Sequence, residues 1–438
     1  MNYRAEVSES FDLLEVHRKD PECFPFLLES VAAHPQSGRY DILFGFPEEP
    51  ITGQDGPARL ADAFARLPPT APQNGWPYLG GWFLLLGYEF AQQLEPRLKL
   101  PPSPFRLPDF MAIRCTGGII RDRETGRTLL FSETDSSSIN YMKQVVQDID
   151  NAHYYENYSG CALTETLFED DPAEYLSSLE KIQEYLRAGD TFQVNLSRQW
   201  KARLADSADY LQIYSRLRQS NPAPFAGLAH YDQVSVLSSS PERLVQVAGG
   251  QVQTRPIAGT RPRGAGANDA ALQAQLIGSL KERAEHVMLI DLERNDLGRI
   301  CQPGSIEVSE LMALESYAHV HHIVSNVRGR LREGLQPTDV LSAVFPGGTI
   351  TGCPKVRSMQ IIAELEGVGR GPYTGSMGYL SRCGTLDTNI LIRTLVIQDR
   401  ELSFRAGAGI VADSHGLAEL EETRVKARGM LLALQDSP

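Results

Sequence analysis

The stretch Pro172–Trp200, PAEYLSSLEKIQEYLRAGDTFQVNLSRQW, sets a helix directly beside a strand. Apolar residues recur at helical spacing as far as Gly189, and TFQVNLSRQW then reads as a strand. Ahead of it, RYDILFGF reads as a strand and DGPARLADAFARL as a helix, and MAIRCTGGIIRDRETGRTLLFS reads as a hairpin turning at Glu124-Thr125-Gly126. The polar segment Asp148–Asp171 reads as a connector or surface loop. Beyond Trp200 come a hairpin at LVQVAGGQVQTRPI and a helix around ALQAQLIGSLKERAEHVMLIDL. VHHIVSNVRGR, TGSMGYLS and LDTNILIRTLVI read as strands, and GLAELEETRVKARGMLLAL as a closing helix.

Strands and helices interleave here without a regular β-α-β period, and no internal repeat is present. That order predicts an α+β fold: a mixed sandwich of packed, largely antiparallel sheets flanked by helices. Two tightly associated subdomains are expected, an N-terminal α/β part over 1–150 and a catalytic part over 172–438.

Composition narrows the function classes. The 438 residues are 42% apolar, enough for a large core, and length alone allows up to three domains. A net charge of −13 disfavours phosphate backbones and anionic lipid, so neither nucleic acid nor membrane is expected as a partner. The N-terminus MNYRAEVSESFDLLEVHRKD has no apolar core of a signal peptide. The longest strongly apolar run, Trp82–Leu86, falls far short of the ~20 residues of a spanning helix. Six scattered cysteines without a C-x-x-C pair read as reduced thiols, which places the protein in the cytoplasm.

Two E-x-x-E patterns stand out. Glu282 and Glu285 in KERAEH, and Glu419 and Glu422 in ELEETRVK, each lie at i and i+3, so each pair projects from one helical face. Four converging carboxylates would repel one another unless a hard cation such as Mg²⁺ lay between them. The same spacing also occurs on ordinary solvated helices. PGGTITGCPK lacks the ending of a phosphate loop, and AGAGIVADS lacks the spacing of a dinucleotide fingerprint. Both read as tight turns or as places where backbone N–H groups approach an anion. In AHVHHIVSNVRGR, His319 and His321 share one strand face and His322 takes the other. One histidine as an acid or orienting group fits better than a zinc cluster. Arg393 interrupts the apolar ILIRTL, where a charge needs a partner, and is a candidate for gripping a carboxylate. Lys426 reads either as a second clamp or as a surface residue.

In this order PIAGTRPRG, ERAEHVMLIDLERNDLGR, HHIVSNVRG, FPGGTITGCPK, GSMGYL, IRTL, AGAGIVADS and ELEETRVKA resemble the chorismate-utilising enzymes. That family comprises anthranilate synthase component I, aminodeoxychorismate synthase component I, and the isochorismate and salicylate synthases. The resemblance is dense from Pro172 onward and thin before it, through FLLES, GRYDILFG and GGWFLLLGYEF. It implies that Glu285 and Glu422 ligate magnesium directly while Glu282 and Glu419 hold its water shell. It also implies that Arg393, Tyr379, the backbone at Gly409, and Lys426 grip the enolpyruvyl carboxylate. Gly259, Thr260 and Thr349 match further substrate contacts, and His322 matches the histidine near the departing C4 hydroxyl.

Within the family, relatives that add water carry a lysine base where this chain has Gln193, and an amide cannot serve as that base. FPGGTITG and FQVNLS are similar to the aminodeoxychorismate synthases, whereas Ala258 stands where the best-known of these carry a lysine, as in anthranilate synthases. The resemblance therefore implies conversion of chorismate and ammonia to 4-amino-4-deoxychorismate, for 4-aminobenzoate and folate. The alternatives are anthranilate synthase component I and a non-catalytic tryptophan-binding or partner-scaffolding protein. Lys355 is the other lysine able to replace a nucleophile at Ala258, or it orients a loop. No stretch reads as a glutamine amidotransferase, so a separate amidotransferase subunit is expected as partner. FLLES with Ser30, and NPAPF with Asn221, Pro222 and Phe225, resemble the family's tryptophan pocket; plain core packing is the other reading.

Overall fold

Asp171 opens the helix Pro172–Ala188 by accepting from the Ala173 amide at 2.8 Å, and Gly189 closes it with φ +80°. The strand Gln193–Leu204 follows and pairs antiparallel with Glu401–Ile410 along that strand's whole length. These come from a computed structural model that describes residues 3–32, 37–68, 70, 75–149, 164–206, 208–263, 267–316 and 320–435. Alternation sorts the strand pair into two faces. Val194, Leu196, Ala408 and Ile410 are buried beneath the helices Pro172–Ala188 and Lys355–Glu366. Gln193, Asn195 and Ser197 take the other face, opposite the glycines of AGAGI.

From this pair the hydrogen bonding continues strand by strand, and every pairing among the described strands is antiparallel. Glu401–Ile410 leads to Thr394–Gln398, Val234–Ser240 and Phe225–Tyr231. The N-terminal strands Phe26–Glu29, Tyr40–Pro47, Phe110–Asp122 and Gly81–Leu86 come next. Ser376–Ser381, Leu386–Asn389, Arg243–Ala248, Gln251–Thr254 and Val320–Arg330 complete the run. One core, including Phe26, Phe44, Phe83, Met111, Val236 and Met377, is drawn almost wholly from strands, which is the interior of a sandwich. Other cores lie between strands and helices on the outer faces. The expected α+β sandwich is the observed architecture.

The expected regions 1–150 and 172–438 share this sheet. Phe26–Glu29 pairs with Phe225–Tyr231, and Gly81–Leu86 pairs with Ser376–Ser381. Three elements differ in detail from the sequence reading. Of the supposed connector, Thr164–Glu169 is a strand on Gln193–Leu204, and residues 150–163 lie outside the described residues. The long helix divides at Ser279 into Ala267–Gly278 and Leu280–Gly298, where the Ser279 hydroxyl caps the Glu282 amide at 3.3 Å. LDTNILIRTLVI divides into Leu386–Asn389 and Thr394–Gln398, with Arg393 between them at φ +51°. Among the described residues no helix is long and apolar enough to cross a membrane. Cys23, Cys115, Cys301, Cys353 and Cys383 are free thiols, and Cys161 lies outside the described residues.

Candidate active site

The open face of the strand pair forms one wall of the site. A Cβ on Gly409 would collide with the Gln193 amide, and one on Gly407 would stand 2.8 Å from Asn195 Oδ1 and 2.9 Å from the Tyr373 hydroxyl. Glycine at these positions lets side chains from two segments crowd onto bare backbone. The loop after Phe345 closes against the same edge, since Gly352–Cys353 pairs with Val194 and Gln193.

Above this wall the closing helix Gly416–Leu434 lowers Lys426, whose Nζ lies 2.7 Å from Glu422 Oε1 and donates to the Gly407 carbonyl at 3.0 Å. Burial works against the lysine's charge, but the Glu422 carboxylate outweighs it and raises its pKa. Desolvation lowers the pKa of Arg393, with the carboxylate of Glu242 pulling the other way. Glu242 is itself buried, which pushes it up to about 7 against the opposing pull of Thr349, the Ile257 backbone, Lys426 and Arg393. Thr349 thus lies beside that carboxylate, although its Oγ1 has no hydrogen-bond partner of good geometry among the described residues. His322 faces the same cations. Burial first, and then Arg393, press it down to about 3, so it is a neutral imidazole near pH 7, turned toward the Gly259 backbone.

Arg393, Lys426, Glu242, His322 and Thr349 therefore share one neighbourhood, in which Glu242 and His322 are buried and Lys426 keeps 40% of its side chain exposed. Gly259 adjoins it at a bulge between Ala258 and Thr260, with φ +69°, and a Cβ there would stand 2.8 Å from Glu282 Oε2. Thr260 is the cross-strand partner of His322, and buried Ala258 that of Ile323. His321 takes the opposite face, its Nε2 2.8 Å from Asp269 Oδ1 and its Nδ1 2.7 Å from Ser316 Oγ. His319 lies outside the described residues.

The four glutamates occupy the first two turns of two helices. Arg261 lies 3.1 Å from Glu282, Glu285 follows one turn later, and Glu419 is buried ahead of Glu422. Among the described residues no three acidic, histidine or cysteine side chains converge closely enough to hold a metal ion. The donor chemistry still fits a hard divalent cation, because the set is all oxygen. The basic partners of Glu282 and Glu422 offset carboxylate charge that a cation would otherwise balance.

Two residues stand elsewhere. Lys355 Nζ lies 2.5 Å from Asp296 Oδ2 and donates to the Val344 carbonyl at 3.0 Å. Tyr379 lines a separate cavity of about 260 Å³ with Ser30, Phe225 and Met377, its ring edge-on to Tyr78. The alternation of its strand turns Tyr379 into the sandwich interior rather than toward Lys426. Asn221 and Pro222 do not line that cavity; Asn221 packs under Gly429 and donates to the Ser239 carbonyl at 3.3 Å. Sequence reasoning passed over Glu242 and Tyr373. A carboxylate entering a buried strand at SSPERL, and a tyrosine just before GSMGYL, were the available signals.

Comparison with known proteins agrees with this geometry. Residues 36–432 match the family described as chorismate binding enzyme, and the chain belongs to that family. An anthranilate synthase component I-like protein of Synechocystis is 39% identical over 92% of this chain and 84% of its own. Aminodeoxychorismate synthase component 1 of Bacillus subtilis is 36% identical over 93% and 91%. The crystal structure of anthranilate synthase component I from Streptococcus pneumoniae superposes with a TM-score of 0.80 at 29% identity, covering 91% of this chain and 93% of that one. The chain is thus a chorismate-utilising enzyme of the anthranilate and aminodeoxychorismate synthase type.

Proposed function

We propose that the chain adds ammonia to chorismate at C4 with loss of water, giving 4-amino-4-deoxychorismate. The observation that carries the reading is the convergence of Arg393 and Lys426 on Glu242 and His322, beside a wall bared by Gly407 and Gly409. Two half-buried cations suit a dianionic substrate, because their attraction for carboxylates grows as a bound ligand displaces water. Gln193 favours ammonia over water, since its amide cannot deprotonate water near neutral pH. Neutral His322 suits a hydrogen-bonding or orienting role beside the leaving hydroxyl rather than that of a pre-charged acid. Glu282, Glu285, Glu419 and Glu422 would hold Mg²⁺, which when bound neutralises carboxylate charge.

A second product, anthranilate, is favoured by Ala258, whose buried methyl group offers no nucleophile next to Gly259. The test is to incubate the purified chain with chorismate, Mg²⁺ and an ammonium salt and to identify the product by mass and fluorescence. An aminated chorismate that added aminodeoxychorismate lyase converts to 4-aminobenzoate is expected; anthranilate as the main product promotes the second reading. Glutamine without a partner amidotransferase subunit is expected to give no turnover.

A further inference from the structure

Next to the bared wall lies a buried ionic knot that the proposed chemistry does not use. Glu366, the last residue of the Lys355–Glu366 helix, accepts from Arg370 Nε at 3.0 Å and from its Nη2 at 2.6 Å. Arg405 reaches the same carboxylate at 3.1 Å, and Ser197 gives it both its amide, at 2.9 Å, and its hydroxyl, at 2.8 Å. The side chains of Glu366 and Arg370 are each 1% exposed. Ions so deeply withdrawn from water persist only when their remaining protons find acceptors.

Those remaining acceptors carry the inference. Arg370 donates to the carbonyl of Ile350 at 3.2 Å, to that of Asn195 at 2.8 Å, and to Thr374 Oγ1 at 3.3 Å. Ile350 directly follows Thr349, and Asn195 stands two residues beyond Gln193 on the same strand face. The guanidinium also lies 5.5 Å from the ring centre of Tyr373, whose hydroxyl borders Gly407. A planar guanidinium can hold several acceptors in fixed directions, whereas an ammonium on a flexible stem cannot.

We infer that Arg370 is a positioning residue of the amination site: clamped by Glu366, it fixes the Thr349 turn, the Gln193–Asn195 strand end and Tyr373 relative to one another. This rests on the site as read above and adds which residue sets its geometry. A purely stabilising knot would lower the melting temperature when damaged but leave the kinetics of the folded enzyme unchanged. Arg370→Lys retains a cation near Glu366 while losing the fork to Ile350 and Asn195. Leu179→Ala removes buried packing of the helix Pro172–Ala188 beneath the same strands and touches no bond of the knot. Glu366→Asp keeps every charge but retracts the anchor, and serves if Arg370→Lys does not fold.

Melting temperatures come first, followed by kcat and KM for chorismate well below each midpoint. Arg370→Lys and Glu366→Asp are expected to lose tenfold or more in kcat/KM, while Leu179→Ala stays within about twofold whatever its melting temperature. Wild-type kinetics in folded Arg370→Lys or Glu366→Asp overturn the inference. So does a loss in Leu179→Ala that matches theirs at an equal drop in melting temperature. If the wild type gives no amination, the function reading fails instead, and calorimetric affinity for chorismate decides. Tenfold weaker binding by the two anchor variants upholds the positioning role, and unchanged binding overturns it.

Discussion

Lys355 Nζ and Asp296 Oδ2 lie 2.5 Å apart, and Asp296 is buried beside Glu293, a carboxyl that burial pushes up to about 8. An ammonium held in that ion pair balances buried acid and is poorly placed to attack a substrate carbon. With a methyl group at Ala258, no covalent enzyme–chorismate adduct is expected. Intact mass after mixing with chorismate in the absence of ammonia should equal that of the free chain, and a stoichiometric increase mapping to a lysine would refute this. Lys355→Met, by stranding Asp296, is expected to destabilise the fold by about 3 kcal/mol, measurable by urea unfolding.

Gly259 faces Glu282 with no room for a side chain. Alanine there meets two penalties: a left-handed backbone, at about 1–2 kcal/mol, and a Cβ 2.8 Å from Glu282 Oε2. Gly259→Ala should therefore shift the carboxylate and the adjoining Thr260–His322 pair, lowering kcat/KM more than tenfold. An unaltered kcat/KM would show that this contact does not shape the site.

Turnover is expected to need Mg²⁺, because on the proposed reading a dianionic substrate enters a site whose cation Glu282, Glu285, Glu419 and Glu422 would hold. Glu285→Gln keeps the side-chain volume and removes one charged oxygen ligand, so activity should fall by about two orders of magnitude or more with the melting temperature little changed. Full activity of the wild type in excess chelator would eliminate the metal.

Two buried histidines should each make acid destabilising well above the ordinary carboxylate range. Burial presses His17 down to about 4 and His322 to about 3, both from an ordinary 6.5. Between pH 6.5 and those values the unfolded chain binds the protons that the folded chain refuses, so stability falls as pH falls. Each histidine adds a slope of up to about 1.4 kcal/mol per pH unit. His17, bonded to the Phe24 carbonyl and the Tyr210 hydroxyl, is part of the core formed by the N-terminal helix. Buried Glu242 and Glu293, pushed up to about 7 and about 8, oppose this over the same range because the folded chain keeps their protons. The check is therefore a difference: from about pH 6.5 to 5, His17→Gln should lose one proton's worth of falling slope relative to the wild type. An unchanged slope in that variant would remove His17 from the account.

The sequence by itself determined the elements and the candidate chemistry, because both are written in local spacing. The period change across Pro172–Trp200, the i, i+3 glutamates and the charge within ILIRTL each need only neighbouring residues to be read. The ordered motifs also fixed the family, since eight of them in sequence constrain far more than any one alone. What only the tertiary structure decided depends on contacts between distant segments. The direction that Tyr379 faces follows from how its strand enters the sandwich, and that placed it with Ser30 and Phe225 rather than with Lys426. The neutrality of His322 arises from desolvation and from Arg393 and Lys426, both more than 60 residues away in the chain, whereas the pKa of Glu242 is raised by desolvation that those same cations oppose. Lys355 and Asp296 are separated by 59 residues, and no local pattern announces their pairing. Electrostatic environment is a property of folded neighbours, so it becomes legible only once the sheet has brought those neighbours together.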